Sequence, residues 1–144
     1  MTILLDTNVL SEAMSPRPQP GVMAWVDAQN REGLWTCTIV VAEVLSGLDL
    51  MPVGKRQEKL REKAEYMFSS LFSDRIWDFD QSAARAYGAI LRSRKAIGRP
   101  IDEMDALIAA TALANDATLA TRNISDFELC GIRLVNPWLC SDGS

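Results

Sequence analysis

Five short apolar runs, each bounded by polar or turn residues, recur along the chain at Ile3–Asp6, Leu34–Cys37, Ile76–Phe79, Thr118–Thr121 and Ile132–Val135. Their length suits strands, and their nearly continuous hydrophobicity suits strands buried on both faces rather than one. Between them the apolar period changes from two to about 3.6. Val22–Ala28 is a short helical pattern. Thr38 reads as the N-cap of a helix over Ile39–Leu50. Lys55–Phe72 places Leu60, Ala64, Met67, Phe68 and Leu71 on one face and charges on the other. Asp80 reads as the cap of a helix running to about Ala96, and Asp102 as the start of another through Asn115. Ser15–Gly21, with three prolines, is a loop by composition. Strands alternating with helices predict an α/β fold, a parallel sheet covered on both faces.

The 144 residues make one domain, 1–144, and no repeat or linker divides them. No apolar run approaches the ~20 residues that span a bilayer. The N-terminus meets Asp6 too early for a signal peptide, so the expected location is the cytoplasm, with no membrane partner. Cys37, Cys130 and Cys140 form no C-x-x-C pair, and reduced core thiols are expected.

Composition changes the picture most through an absence: there is no histidine. That excludes a Ser–His–Asp triad, a H-E-x-x-H zinc site and imidazole-based cleavage of RNA. Hydrolytic chemistry must then rest on carboxylates, a metal, Lys, Cys or Tyr. A formal net charge of -4 argues against a plain nucleic-acid-binding module, because phosphate affinity comes from Lys and Arg. It argues less against an enzyme whose acids bind divalent cations, since bound ions invert the local charge.

The acids fall where an open parallel sheet binds ligands, outside the carboxyl ends of its strands. Asp6 ends the first run; Glu43 lies one turn into the helix after the second; Asp105 opens a late helix; Asn123 and Asp126 follow the fourth run. Each has an ordinary reading as a turn residue, a solvated helix position or a first-turn acid favoured by the helix dipole. Their joint placement favours convergence at one edge of the sheet. Converging carboxylates repel one another unless a cation intervenes, and hard oxygen ligands without His or Cys suit Mg²⁺ or Mn²⁺. Phosphodiester hydrolysis by a metal-activated water is the chemistry that fits.

Four segments in order carry a resemblance that covers nearly the whole chain: I-L-L-D-T-N-V-L-S-E, V-V-A-E-V-L-S-G-L, G-R-P-I-D-E-M-D-A-L-I-A-A-T-A-L and L-A-T-R-N-I-S-D-F-E, with V-N-P-W near the end. The chain resembles PIN-domain ribonucleases, in particular the VapC and FitB-like toxins of bacterial toxin–antitoxin pairs. The resemblance implies a three-layer α/β/α fold with a five-stranded parallel sheet. It also implies Mg²⁺- or Mn²⁺-dependent endoribonuclease activity, a homodimer or a higher-order assembly with antitoxin, and a small antitoxin partner with a DNA-binding N-terminus. By the same resemblance Asp6, Glu43 and Asp105 fall on the family's catalytic acids, with Asp6 and Asp105 as direct metal ligands and Glu43 holding a second ion or its water. Thr7, Asn8 and Thr121 match its supporting polar residues. At the fourth acidic position the chain departs: Asn123 stands where some relatives have Asp, and Asp126 is the candidate substitute.

Two basic stretches bear on partners. Arg92, Arg94, Lys95 and Arg99 read either as a guide for the RNA backbone or a partner contact, or as a solvated helix end. Lys55, Arg56, Lys59, Arg61 and Lys63, interleaved with Glu58, Glu62 and Glu65, read as an ion-paired helix surface. Other classes fit less well. A haloacid-dehalogenase-like phosphatase needs a second Asp where Asn8 stands, and a phosphorelay receiver needs paired acids before its first strand ends. The remaining rival is a PIN-like component of a DNA-bound complex with little catalysis.

Overall fold

The computed structural model describes residues 1–140. Five parallel strands, β1 (Ile3–Leu5), β2 (Leu34–Cys37), β3 (Ile76–Trp77), β4 (Thr118–Ala120) and β5 (Leu134–Val135), line up in the order β3-β2-β1-β4-β5. Helices α1 (Thr7–Met14), α2 (Pro20–Ala28), α3 (Thr38–Asp49), α4 (Lys55–Tyr66), α5 (Gln81–Ala96), α6 (Glu103–Ala114) and α7 (Ile124–Phe127) connect them. Every residue of β1 and β4 is buried. Successive strand side chains point to opposite faces, so helices must cover both sides. The α/β sandwich and five-stranded parallel sheet expected from the hydrophobic runs are what the chain adopts.

Several local expectations differ in detail. α1, an eight-residue helix, has only Val9, Leu10 and Met14 buried, a stripe too brief to announce itself. α7 is a single turn. Thr38 is the first residue of α3 and Cys37 occupies the cap position without a side-chain cap bond, because β2 turns straight into the helix. The helix expected over Lys55–Phe72 is α-helical only to Tyr66 and finishes as a π-helical segment, Met67–Leu71. Asp80 and Asp102 do cap α5 and α6, accepting from the Ala83 and Met104 amides at 3.0 and 3.2 Å.

Leu4, Leu5, Val9, Leu10, Val40, Ile108, Leu119 and Phe127 form the centre of the core. Each such side chain contributes roughly 1.5–3 kcal/mol by leaving water. All three cysteines are free, Cys37 and Cys130 among the buried residues. No helix among the described residues is long and apolar enough to cross a membrane.

The connections wind outward from β1 in both directions, to β2 and β3 on one side and to β4 and β5 on the other. The crevice outside the carboxyl ends of β1 and β4 is therefore the topological switch point, where sheets of this kind place ligands.

Candidate active site

Asp6 leaves β1 directly into α1. Its backbone amide donates to the Ala120 carbonyl at 2.9 Å, which continues the β1–β4 ladder by one residue. Its Oδ1 accepts from the Thr7 amide at 2.8 Å as the N-cap of α1. Its Oδ2 accepts from the buried Thr121 hydroxyl at 2.7 Å and, at 3.4 Å, from the Asn8 amide group. The ordinary turn-and-cap role and a place in the site are thus held by one side chain.

Thr121 follows β4 and acts as a hub. Besides donating to Asp6, its Oγ1 accepts from Asn8 Nδ2 at 3.3 Å and from the Asn123 amide at 3.1 Å. Asn8 Oδ1 in turn accepts from the Arg122 amide at 3.2 Å. The start of α1 is thereby tied to the exit of β4, and Asp6 is held in one rotamer. Across the crevice, the Thr7 hydroxyl donates to Glu43 Oε1 of α3 at 2.7 Å. Asp105 sits in the first turn of α6, half-buried.

These groups line one open cavity of about 530 Å³ whose wall includes Asp6, Thr7, Asn8, Glu43, Asp105 and Asn123. Ser11, Glu12, Ser15, Arg122 and Trp138 complete it; the sequence gives none of them a site role, and Trp138 reads there as core or antitoxin-groove packing. Thr7, Ser11 and Ser15 are an i, i+4, i+8 row that would have been readable had α1 been recognised as a helix. Trp138 arrives from beyond β5, in the V-N-P-W segment. The Arg122 guanidinium lies over its ring, 5.1 Å from the centroid.

Burial raises the Asp6 carboxyl above its ordinary range. The Thr121 and Thr7 hydrogen bonds oppose that rise, and the charges of Glu43 and Asp126 add to it. Asp105 is pushed up to about 7, first by burial and then by the charges of Asp6, Asp102, Asp126 and Glu43. Neither acid, nor Glu43, forms an ion pair among the described residues; the three ion pairs lie elsewhere.

Of the two candidates for the fourth position, Asn123 is in the cavity wall and Asp126 is not. α7 begins right after Asn123, and its single turn carries Asp126 to an exposed position, from which only its charge reaches Asp6 and Asp105. The Asp126 carboxylate therefore acts at a distance.

The donor set suits a hard divalent cation: carboxylate and amide oxygens, half-buried, short of positive charge. Among the described residues no three His, Cys, Asp or Glu side chains are packed into a ready-made ligand cluster.

The chain belongs to the PIN-domain family, whose model matches residues 3–128. It is similar to the plasmid stability protein StbB of Pseudomonas syringae pv. tomato, 46% identical over 94% of this chain and 98% of that one. It is also similar to the VapC ribonuclease Y4jK of Sinorhizobium fredii, 40% identical over 94% of this chain and 97% of that one. Among solved structures, FitAB bound to an IR36 DNA fragment contains a chain that superposes with a TM-score of 0.88 at 39% identity, covering 95% of this chain and 96% of that one.

Proposed function

We propose that this chain is a divalent-metal-dependent endoribonuclease acting as the toxin of a toxin–antitoxin pair. The observation that carries the reading is the convergence of Asp6, Glu43 and Asp105 on one cavity at the switch point, where burial first and the neighbouring carboxylates second raise the Asp6 and Asp105 carboxyls. The VapC ribonuclease name of one relative and the DNA-bound FitAB complex of another support it.

Asp6 and Asp105 would hold Mg²⁺ or Mn²⁺ directly, with Glu43 and the Asn123 amide oxygen beside them. When bound, the ion supplies an activated water and neutralises charge that develops on the phosphoryl oxygens. The chain's own part is orientation. Thr121 and the Thr7 amide fix the two Asp6 oxygens in different directions. The Thr7 hydroxyl holds Glu43 towards the same space. The expected partners are a cognate antitoxin with a DNA-binding N-terminus and a second copy of this chain.

Purified, antitoxin-free protein should cut RNA with Mg²⁺ and stop with a chelator. Asp6→Asn and Asp105→Asn should each lower the rate at least ~10²-fold, since disturbing even groups behind a metal ligand costs 10–100-fold. In-line attack by water should leave 5′-phosphate and 3′-hydroxyl ends. If both variants fold and cut as fast as the parent, the assignment fails. Unimpeded growth of cells expressing active protein would instead favour the non-catalytic, complex-forming reading.

A further inference from the structure

α4 is not the ion-paired surface that its alternating charges suggest. At about 100° per residue, Lys55, Arg56, Lys59 and Lys63 occupy one arc of the helix, the buried Ala64 and half-buried Leu60 the next, and Glu58, Glu62 and Glu65 the one beyond. Two i, i+4 rows pair like with like, Lys55–Lys59–Lys63 and Glu58–Glu62, whereas Arg61–Glu65 at i, i+4 and Lys55–Glu58 and Lys59–Glu62 at i, i+3 are of opposite sign. The one ion pair α4 makes is Arg61 with Asp49 of α3, at 2.6 Å. Lys55, Arg56, Lys59 and Lys63 are all exposed and form no ion pair among the described residues. The aligned like charges cost the helix only a few tenths of a kcal/mol and leave an exposed band of positive charge that an external anion would neutralise.

Where this face leads is the second observation. The four cations line a groove of about 770 Å³ together with Ser11, Ser15, Pro16 and Leu60. Ser11 and Ser15 also belong to the wall of the carboxylate cavity, so the groove adjoins the cavity along α1. Lys63 Nζ donates to the Met14 carbonyl at 3.1 Å and anchors α4 to the end of α1. From Thr7 to Ser15 the rise along α1 is ~12 Å. That is the stacked length of about three or four nucleotides at 3.4 Å each.

We propose that the Lys55/Arg56/Lys59/Lys63 face of α4 and the Ser11–Ser15 edge of α1 form the track on which the RNA backbone lies as it enters the carboxylate cavity. The occupant rests on the ribonuclease reading; the surface does not. A phosphate backbone needs evenly spaced cations and hydroxyl donors, and carries no demand for apolar pockets. A protein segment would want aromatic or aliphatic anchors at the centre of its footprint, and this groove offers only Leu60 and Pro16. In a chain of net charge -4 a local concentration of cations is also the means by which a polyanion could be held near a cavity of carboxylates.

The test compares K55Q/R56Q/K59Q with the parental α4, both carrying Asp105→Asn, by anisotropy of a labelled single-stranded RNA oligonucleotide in EDTA at several KCl concentrations. Lys63 is left in place because it also holds the Met14 carbonyl. Three lost phosphate contacts should flatten the slope of log affinity against log salt by about 2, with affinity at low salt down by about tenfold or more. K55R/K59R should restore both. In the cutting-competent background KM should rise by the same factor while kcat holds. An unchanged salt slope overturns the track, and so does a variant that keeps its RNA affinity but loses a cognate protein partner. A flattened slope in a parent that never cuts RNA leaves the track standing and sinks the nuclease reading instead.

Discussion

Two basic segments, α4 and the end of α5, exchange roles between sequence and structure. At α5, Arg94 is only 4% exposed, and its guanidinium is spent on backbone: Nε donates to the Arg99 carbonyl at 2.8 Å, and one terminal nitrogen to the Ser125 and Glu128 carbonyls at 3.3 and 2.8 Å. Arg99 reaches the same loop, through the Ser125 carbonyl at 2.7 Å and the Glu128 carboxylate at 3.2 Å. These two arginines clamp α5 to the segment around α7 and are not free to guide RNA. On α4 the opposite holds: apparent ion pairs dissolve into separated faces. A cation's role is set by which oxygens lie near it. At Arg94 two of the three oxygens come from residues 31 and 34 positions away, where no local pattern can show them.

The sharpest way to break this contrast is Arg94→Ala. Three carbonyls would lose a charged donor, two of them in the segment that carries Asn123 and Asp126. Leaving a buried carbonyl without its donor costs roughly 1–3 kcal/mol, so with three carbonyls affected a loss of about 3 kcal/mol is expected in urea denaturation. Arg94→Lys should recover little, because an ammonium on a single stem cannot span the fork. A loss below about 1 kcal/mol would mean the clamp is ornamental and Arg94 available for substrate after all.

The same sorting applies to acids. Asp49, Asp116 and Glu128 each have an arginine partner. Asp6, Glu43 and Asp105 have none, and they line the cavity. Because the Asp105 carboxyl is raised in the folded chain from 3.8 to about 7, the unfolded state releases its proton first as pH rises. Folding stability is therefore fully present below about 4 and declines as pH climbs through 7. Metal-free protein should show a falling Tm between about pH 4 and about 7, blunted by the half exposure of Asp105, and Mg²⁺ should restore it at the alkaline end only. A flat profile in Asp105→Asn together with a sloping parent would assign the effect to this residue. Equal slopes in the two would remove Asp105 from the account.

Arg99→Ala probes the exposed edge of the clamp. Its carboxylate partner is half exposed, where ion pairs contribute ~0–1 kcal/mol, so a loss near the upper end of that range is expected, well short of Arg94. A loss equal to that of Arg94→Ala would place the weight of the clamp on the surface pair rather than on the buried guanidinium.

Much of the fold was legible because it depends on long-range regularities that sequence carries locally: continuous apolar strands, helical stripes, and caps at Asp80 and Asp102. Convergence of Asp6, Glu43 and Asp105 could be anticipated because strand ends of a parallel sheet meet at one edge whatever the details. What stayed hidden has physical reasons. The runs at Ile76–Phe79 and Ile132–Val135 mark β3 and β5, but each strand is only two residues long, so its bounds are set by pairing rather than by its own pattern. α1 is short, and its cap residue Asp6 reads in sequence as the end of a strand, so nothing local marks the Thr7–Ser11–Ser15 row as one helix edge. Whether residue 123 or 126 faces the cavity turns on one helical turn, which is below the precision with which helix starts can be read.

The smallest effect is also the most discriminating for the α4 face. Lys59 has Lys55 and Lys63 as its i±4 neighbours, and each like-charge pair costs a helix ~0.2–0.5 kcal/mol. Lys59→Gln keeps a good helix former while removing both pairs, so the folded chain should gain a few tenths of a kcal/mol at low salt. At 1 M salt, where screening acts over ~3 Å, the gain should vanish. RNA affinity should move the other way, falling as stability rises. That opposition separates a face kept cationic for a ligand from one whose charges merely solvate the helix. If Lys59→Gln instead lowers stability, Lys59 has a favourable partner on the protein itself, and the sequence reading of α4 as ion-paired surface would be reinstated.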